Sequence, residues 1–212
     1  MDLFVDEKKV AGDANIGGTL EQALREVQAR FCDSRRILVG FKCDGQEIAG
    51  TAMATALRQP AGSVERLDVF TATREDLVGD AMTQASASLE ESETAAQGVA
   101  EMLMEGKTVE GVARLGECLR VWQQIHDAVA KSLELLHLDP EKLTIAQEPL
   151  LAVLERPKDV LLQIKSALQS QDHVLLADIL QYEFADVTDM WHTLIARIRQ
   201  EADDLRAAGG TT

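Results

Sequence analysis

The sequence predicts an α+β protein, in which a small strand-containing region, residues 1–72, precedes a helical region, residues 73–212. Two observations predict this division. Before Thr73, short alternating apolar segments are broken by Gly and Asp, whereas after it long apolar runs repeat every three or four residues, the period of a helix. The charge changes at the same place: residues 1–72 hold 11 acids and 9 bases, and residues 73–212 hold 25 acids and 12 bases.

The first region begins with apolar segments that are typical of hairpin strands. A polar turn at Asp6 and Glu7 separates the first two segments, and Asp44-Gly45 is a strong signal for a second hairpin. Between them, Thr19 and Gln22 have the spacing of a capping box, which predicts the start of a helix. The apolar residues that would form one face of this helix are Leu20, Leu24, Val27 and Phe31.

Later segments predict a strand, a short helix and a last strand. The strand alternates Ile37, Val39 and Phe41 with Leu38, Gly40 and Lys42; the short helix spans 53–58, and the last strand runs through Val64, Leu67 and Val69. The order hairpin, helix, strand, short strand, strand resembles the β-grasp (ubiquitin-like) arrangement. That resemblance implies one helix packed across a mixed sheet.

The sequence pattern of residues 73–212 predicts four to five helices. A cap at Thr73 starts a first helix that ends before Gly106, and a second helix ends before Pro140. Pro149 and Pro157 predict two shorter helices in 141–172, the second beginning at Pro157, which suits a first helical position. The last helix carries the stripe Leu176, Leu180, Phe184, Val187, Trp191, Leu194, Ile198 and Leu205. Short connections favour an antiparallel helical bundle.

A resemblance supports this plan. Residues 172–183 are similar to a segment of uncharacterised bacterial proteins that pair a small β-containing front with a helical rear. The resemblance implies a bacterial setting and brings no functional residue.

Composition excludes several classes of function. The net charge of −15 disfavours nucleic acid and anionic membrane surfaces, because both require a basic surface on the protein. An apolar content of 46% disfavours disorder, and no apolar run is long enough to cross a bilayer. Three cysteines without a Cys-x-x-Cys spacing predict neither disulfides nor a zinc site, and no secretory signal is visible. We therefore expect a cytoplasmic protein.

The strongest candidate for a binding surface is a stripe on the last helix. Asp178, Tyr182, Asp186 and Asp189 recur at spacings of four, four and three residues, on the side away from the apolar seam. Such a stripe could dock a basic partner, although this pattern is more often an ordinary solvated helix face.

Motifs for catalysis, metals and cofactors are weak, so we predict no catalytic residue, no metal and no cofactor. The four histidines stand singly, and Asp189-x-x-His192 is an isolated pair. Cys118 lies in the middle of a helix, where packing is favoured over nucleophilic chemistry. Gly17-Gly18-Thr19 lacks a phosphate-loop pattern and favours a loop into a capped helix.

Four residues of the helical region are expected to mark close packing. Trp122 and Trp191 fall on the inward stripes as core anchors, or they mark a helix–helix interface. Gly111 and Gly116 each cost about 1 kcal/mol relative to Ala in a helix, which suggests a close neighbour at both positions.

Two functions remain open at this point. We favour a non-catalytic interaction module, an adaptor or chaperone-like protein with secretion or motility as its setting by analogy. It would bind a protein partner, or a second copy as a homodimer through its helices. The alternative is an enzyme or small-ligand sensor with a site between the two regions, to which Tyr182, Glu183 and His126 would contribute.

Overall fold

The computed structural model describes residues 1–10, 18–32, 36–48 and 50–209. The chain divides into two compact units, Met1–Leu77 and Val78–Thr212. The predicted boundary between residues 72 and 73 falls at the end of the last strand of the first unit. The architecture is α+β, as predicted, with a five-stranded sheet in the first unit and helices in the second.

Five strands form the sheet of the first unit. They are β1 (Asp2–Val5), β2 (Lys8–Lys9), β3 (Arg36–Cys43), β4 (Gln46–Glu47) and β5 (Arg66–Thr73). Their order across the sheet is β2-β1-β5-β3-β4. β1 runs parallel to β5, and the other neighbours are antiparallel. Both predicted hairpins are present, and the β-grasp resemblance stays a prediction.

Helix α1 (Leu20–Phe31) packs its apolar stripe against this sheet. The predicted capping box is confirmed, because Thr19 Oγ1 accepts from the Gln22 N–H and Gln22 Oε1 accepts from the Thr19 N–H. Gly18 precedes the cap with φ +109°, and a Cβ there would lie 1.8 Å from Gln22 Oε1. The absence of a Cβ at Gly18 therefore leaves room for the capping box; Gly17 lies outside the described residues. Helix α2 (Thr51–Leu57) matches the predicted short helix.

A bulge in β3 corrects the predicted alternation. The register against β5 shifts between Leu38 and Gly40. The extra residue at this bulge reverses which face of the sheet the side chains on either side of it occupy. Val39 is consequently 46% exposed, whereas Leu38 packs against the core beside the buried Phe41. The simple alternation of Ile37, Val39 and Phe41 on one face is therefore wrong.

The second unit begins with two long helices close to the predicted positions. α3 (Arg74–Met104) follows the predicted cap, in which Thr73 Oγ1 accepts from the Asp76 N–H. α4 (Thr108–Leu135) follows Gly106, whose φ is +78°. Val109 lies in the first turn of α4 and is 84% exposed.

The region 141–172 differs from the prediction of two short helices. A small hairpin, β6 (Thr144–Ile145) and β7 (Glu148–Pro149), leads into one continuous helix, α5 (Leu150–Ser170). Pro157 lies inside α5 instead of starting a helix. The prediction failed because proline usually ends a helix, whereas here tertiary packing on both sides of Pro157 outweighs its cost.

The last predicted helix is interrupted. It consists of α6 (His173–Asp178), a π-helical segment (Ile179–Glu183) and α7 (Phe184–Gly209). The predicted inward stripe is buried from Leu176 to Ile198, and Leu205, at 41% exposure, is the exception. Side chains from α3 to α7 share one hydrophobic core. Their arrangement as an antiparallel bundle stays a prediction.

Candidate functional site

The second unit contains an apolar cavity of about 430 Å³ to which α4, α5 and α7 contribute side chains. We call it the α4–α5 groove, because its exposed edges come from those two helices while α7 supplies buried side chains. Its lining residues are Leu119, Trp122, Gln123, His126, Leu154, Pro157, Lys158, Val160, Leu161, Ile164, Phe184 and Val187. A cavity of this size and composition is typical of a binding site.

Aromatic rings form the floor of the groove. Trp122 meets Phe184 edge-on, with ring centroids 5.3 Å apart, and it meets Trp191 edge-on at 5.1 Å. His126 stacks on Trp191 at 5.7 Å while its side chain stays 49% exposed at the groove. Each such aromatic pair contributes about 0.5–1.5 kcal/mol beyond its buried area. Both tryptophans are therefore core anchors: Trp122 lines the groove, and the fully buried Trp191 packs against it.

Both indole N–H groups in this floor are buried without a hydrogen-bond acceptor among the described residues. An unsatisfied buried donor costs about 1–3 kcal/mol. The cost is offset by packing, because both rings lie among apolar side chains of the core. The floor thus offers apolar surface to an occupant and little polar chemistry.

Two costly departures from regular helix border the groove. Pro157 lines it from inside α5, where proline costs about 3 kcal/mol relative to Ala. The π segment ends at Glu183, immediately before Phe184 of the floor. π-helical turns occur frequently at functional sites. The meeting of both features at one cavity supports a role in binding.

Few polar groups line the groove. Gln123 and His126 lie on the α4 side and Lys158 on the α5 side, and none of the described lining residues is acidic. Lys158 is exposed and forms no ion pair with any described residue. The arrangement lacks the paired acids, nucleophile–base pair or metal ligands that catalysis by side chains would use.

The predicted acidic stripe lies on a different surface. Asp178, Tyr182, Asp186 and Asp189 are all exposed, and none forms an ion pair with a described residue. Val187 points into the groove floor, and Asp189, two residues later, is rotated from it by about 200°. The structure therefore does not bring Asp189 to the groove.

The residues proposed for an enzyme site do not all lie at the groove. His126 lines the groove, whereas Tyr182 and Glu183 are exposed and lie outside its lining. Within the described ranges no three His, Cys, Asp or Glu side chains cluster as a metal site would require.

Cys118 is a packed side chain. Burial raises the pKa of its thiol, and its Sγ lies 3.1 Å from Ser92 Oγ between α3 and α4. A raised pKa disfavours the thiolate and hence nucleophilic reactivity.

Sequence reasoning missed the α5 wall of the groove, although one signal was available. Leucines occur in adjacent pairs at 135–136, 150–151, 161–162 and 175–176. Neighbours on a helix are about 100° apart, so both members of a pair rarely reach the same core. Leu151, Leu161, Leu162 and Leu175 are the exposed members.

Comparisons with known proteins place the groove within a recognised family. No helix of the described chain has both the length and the apolarity needed to cross a membrane. The chain matches no curated protein and no solved structure. A family model described as "Domain of unknown function (DUF8042)" matches residues 80–194, a range that includes every residue of the groove lining. Because that match covers more than half of the chain, the protein belongs to this family of unknown function.

Proposed function

We propose that the protein is a non-catalytic interaction module, adaptor or chaperone-like, that holds a helix of a partner protein in the α4–α5 groove. The observation that carries this proposal is a set of exposed leucines on α5, the helix that forms one wall of the groove. Leu161 lines the groove and is 45% exposed, and Leu151 and Leu162 of the same helix are 48% and 56% exposed.

The extent of this apolar surface favours a protein partner over a small ligand. Leu151 and Leu162 lie outside the groove lining and are 11 residues apart, about 16 Å along α5. Single exposed leucines are ordinary, but a set beside an apolar groove marks an interaction surface. A partner helix laid in the groove would cover them, with apolar anchors at every third or fourth residue.

The proposed setting is the bacterial cytoplasm. The resemblance of residues 172–183 supports the bacterial source, and the free thiols of Cys32, Cys43 and Cys118 support a reducing compartment. Secretion or motility stays an analogy with other small acidic helical proteins. The acidic stripe and a second copy of the chain are competing explanations that the experiments below distinguish.

A titration with a designed peptide tests the proposal. The probe is a Trp-free helical peptide of about 18 residues, with Leu on one face and Gln elsewhere, added to the full-length protein. We expect saturable binding that changes the tryptophan fluorescence, because Trp122 forms the floor.

Leu161→Glu should abolish this binding by placing a charge on the groove wall. Leu205→Glu is the matched control, since Leu205 is a similarly exposed leucine outside the groove lining. Absence of saturable binding, or equal losses in both variants, would contradict the proposal. Sedimentation of the free protein over a range of concentrations detects self-association. If two copies associate through the groove, Leu161→Glu should abolish that self-association.

A further inference from the structure

We infer that the helix which occupies the α4–α5 groove carries carboxylates on one flank, two helical turns apart, facing Lys158 and Lys165 of α5. This inference rests on the proposed function and specifies the chemistry of the partner.

The two lysines share the groove side of α5. Lys158 lines the groove, and Lys165 follows Leu161, another lining residue, by four positions. Residues seven apart in a helix lie on the same side, about 10 Å apart along the axis. Both side chains are therefore placed along one edge of the groove, next to its apolar surface.

Neither lysine has a partner within the protein. No described carboxylate lies within ion-pair distance of Lys158 or Lys165, and both residues are exposed. The neighbouring Arg156 differs, because its guanidinium donates to both carboxylate oxygens of Glu148 at 2.7 and 2.8 Å. The cations of α5 that border the groove are thus the ones left available to an external carboxylate.

α5 carries no acidic excess, unlike α3 and the last helices of this unit. α5 has three bases and two acids, whereas α3 has one base and seven acids, and residues 173–209 have three bases and seven acids. The α4 edge of the groove is formed by Leu119, Gln123 and His126, and the nearest carboxylate to it is paired, since Asp127 Oδ1 lies 4.0 Å from His126 Nδ1. A docked helix therefore meets lysines on one flank and a nearly neutral wall on the other.

Short-range pairing can act here despite the net charge of −15. At physiological salt the Debye length is about 8 Å, so more distant exposed acids are largely screened. An exposed ion pair contributes about 0.2–1 kcal/mol, and two such pairs correspond to roughly a 2- to 30-fold change in affinity. The lysines select the partner, and the apolar groove supplies most of the binding.

Three peptides with one apolar face test the inference on the full-length protein in about 0.15 M salt. Their flank carries Gln, Glu or Lys at two positions seven residues apart. We expect the Glu peptide to bind most tightly, the Gln peptide next and the Lys peptide least. Lys158→Gln with Lys165→Gln should remove the preference for Glu, so that this variant binds the Glu peptide and the Gln peptide with equal affinity.

Lys131→Gln is the matched control. Lys131 is exposed on α4, five residues after His126 and hence rotated about 140° from the groove. It should retain the full preference for the Glu peptide. Thermal melting of each variant checks that the fold is kept.

The outcomes separate the inference from the proposed function. Equal binding of all three peptides overturns the inference and leaves the proposed function standing. Tightest binding of the Lys peptide also overturns it, since the acidic surface then dominates. Failure of all three peptides to bind contradicts both.

Discussion

At the scale of single residues, spacing predicted the caps and turns well and predicted close contacts less well. The pair Thr19 and Gln22 forms the predicted capping box because both partners lie within one turn. Gly111 and Gly116 looked equivalent in sequence. A Cβ at Gly111 would lie 3.3 Å from Leu103 Cδ2, whereas a Cβ at Gly116 would meet nothing within 4 Å. Long-range packing distinguishes them, and local spacing contains no information about it.

Gly116→Ala should therefore stabilise the protein by about 0.5–1 kcal/mol, because alanine lowers the backbone entropy lost on folding and its methyl group enters open space. Gly111→Ala should gain less or destabilise, because its methyl group must displace Leu103. Urea unfolding followed by tryptophan fluorescence measures both. Equal stabilisation by the two variants would show that Gly111 is not closely packed.

At the scale of elements, the long helices α3 and α4 were predictable because their apolar period continues for many turns. The two irregular elements were not. Pro157 favoured a helix boundary locally, and only packing along the whole of α5 keeps the helix continuous through it. The π segment left a weak signal. Leu176, Leu180 and Phe184 are spaced by four residues. In an α-helix this spacing rotates each successive side chain by about 40° around the axis, and the wider turn of a π-helix compensates for that rotation.

Pro157→Ala tests whether the groove depends on this irregularity. Alanine restores the N–H that can donate to the Val153 carbonyl, so we expect stabilisation by about 1–2 kcal/mol. Peptide affinity should fall, because the ring of Pro157 is part of the lining. Calorimetric melting and the peptide titration measure the two effects.

Ser166→Ala provides the control for this substitution, since Ser166 is exposed on the same helix and outside the groove lining. It should change the stability by a few tenths of a kcal/mol and leave the affinity unchanged. Unchanged affinity in Pro157→Ala would mean that the proline has no part in the site.

At the scale of the whole molecule, the α+β architecture followed from the change of period and charge near Thr73. The site did not follow, because it is assembled from residues as distant in sequence as Leu119 and Val187. Charge alone drew attention to the exposed stripe at Asp178, Tyr182, Asp186 and Asp189, whereas the cavity lies where the sequence shows apolar residues and a proline. In the sequence, the apolar residues of a groove have the same pattern as the apolar residues of a core. Only the packing of the neighbouring helices distinguishes the two.

The position of a partner helix in the α4–α5 groove can be measured directly. The most direct test places a nitroxide spin label at the centre of the Leu/Gln peptide and measures paramagnetic broadening in the NMR spectrum of the full-length protein. We expect strong broadening of the Leu161 methyl groups and of the His126 ring, with Leu205 unaffected. Broadening centred on Asp178, Tyr182, Asp186 and Asp189 instead would place the partner on the acidic stripe and contradict the account.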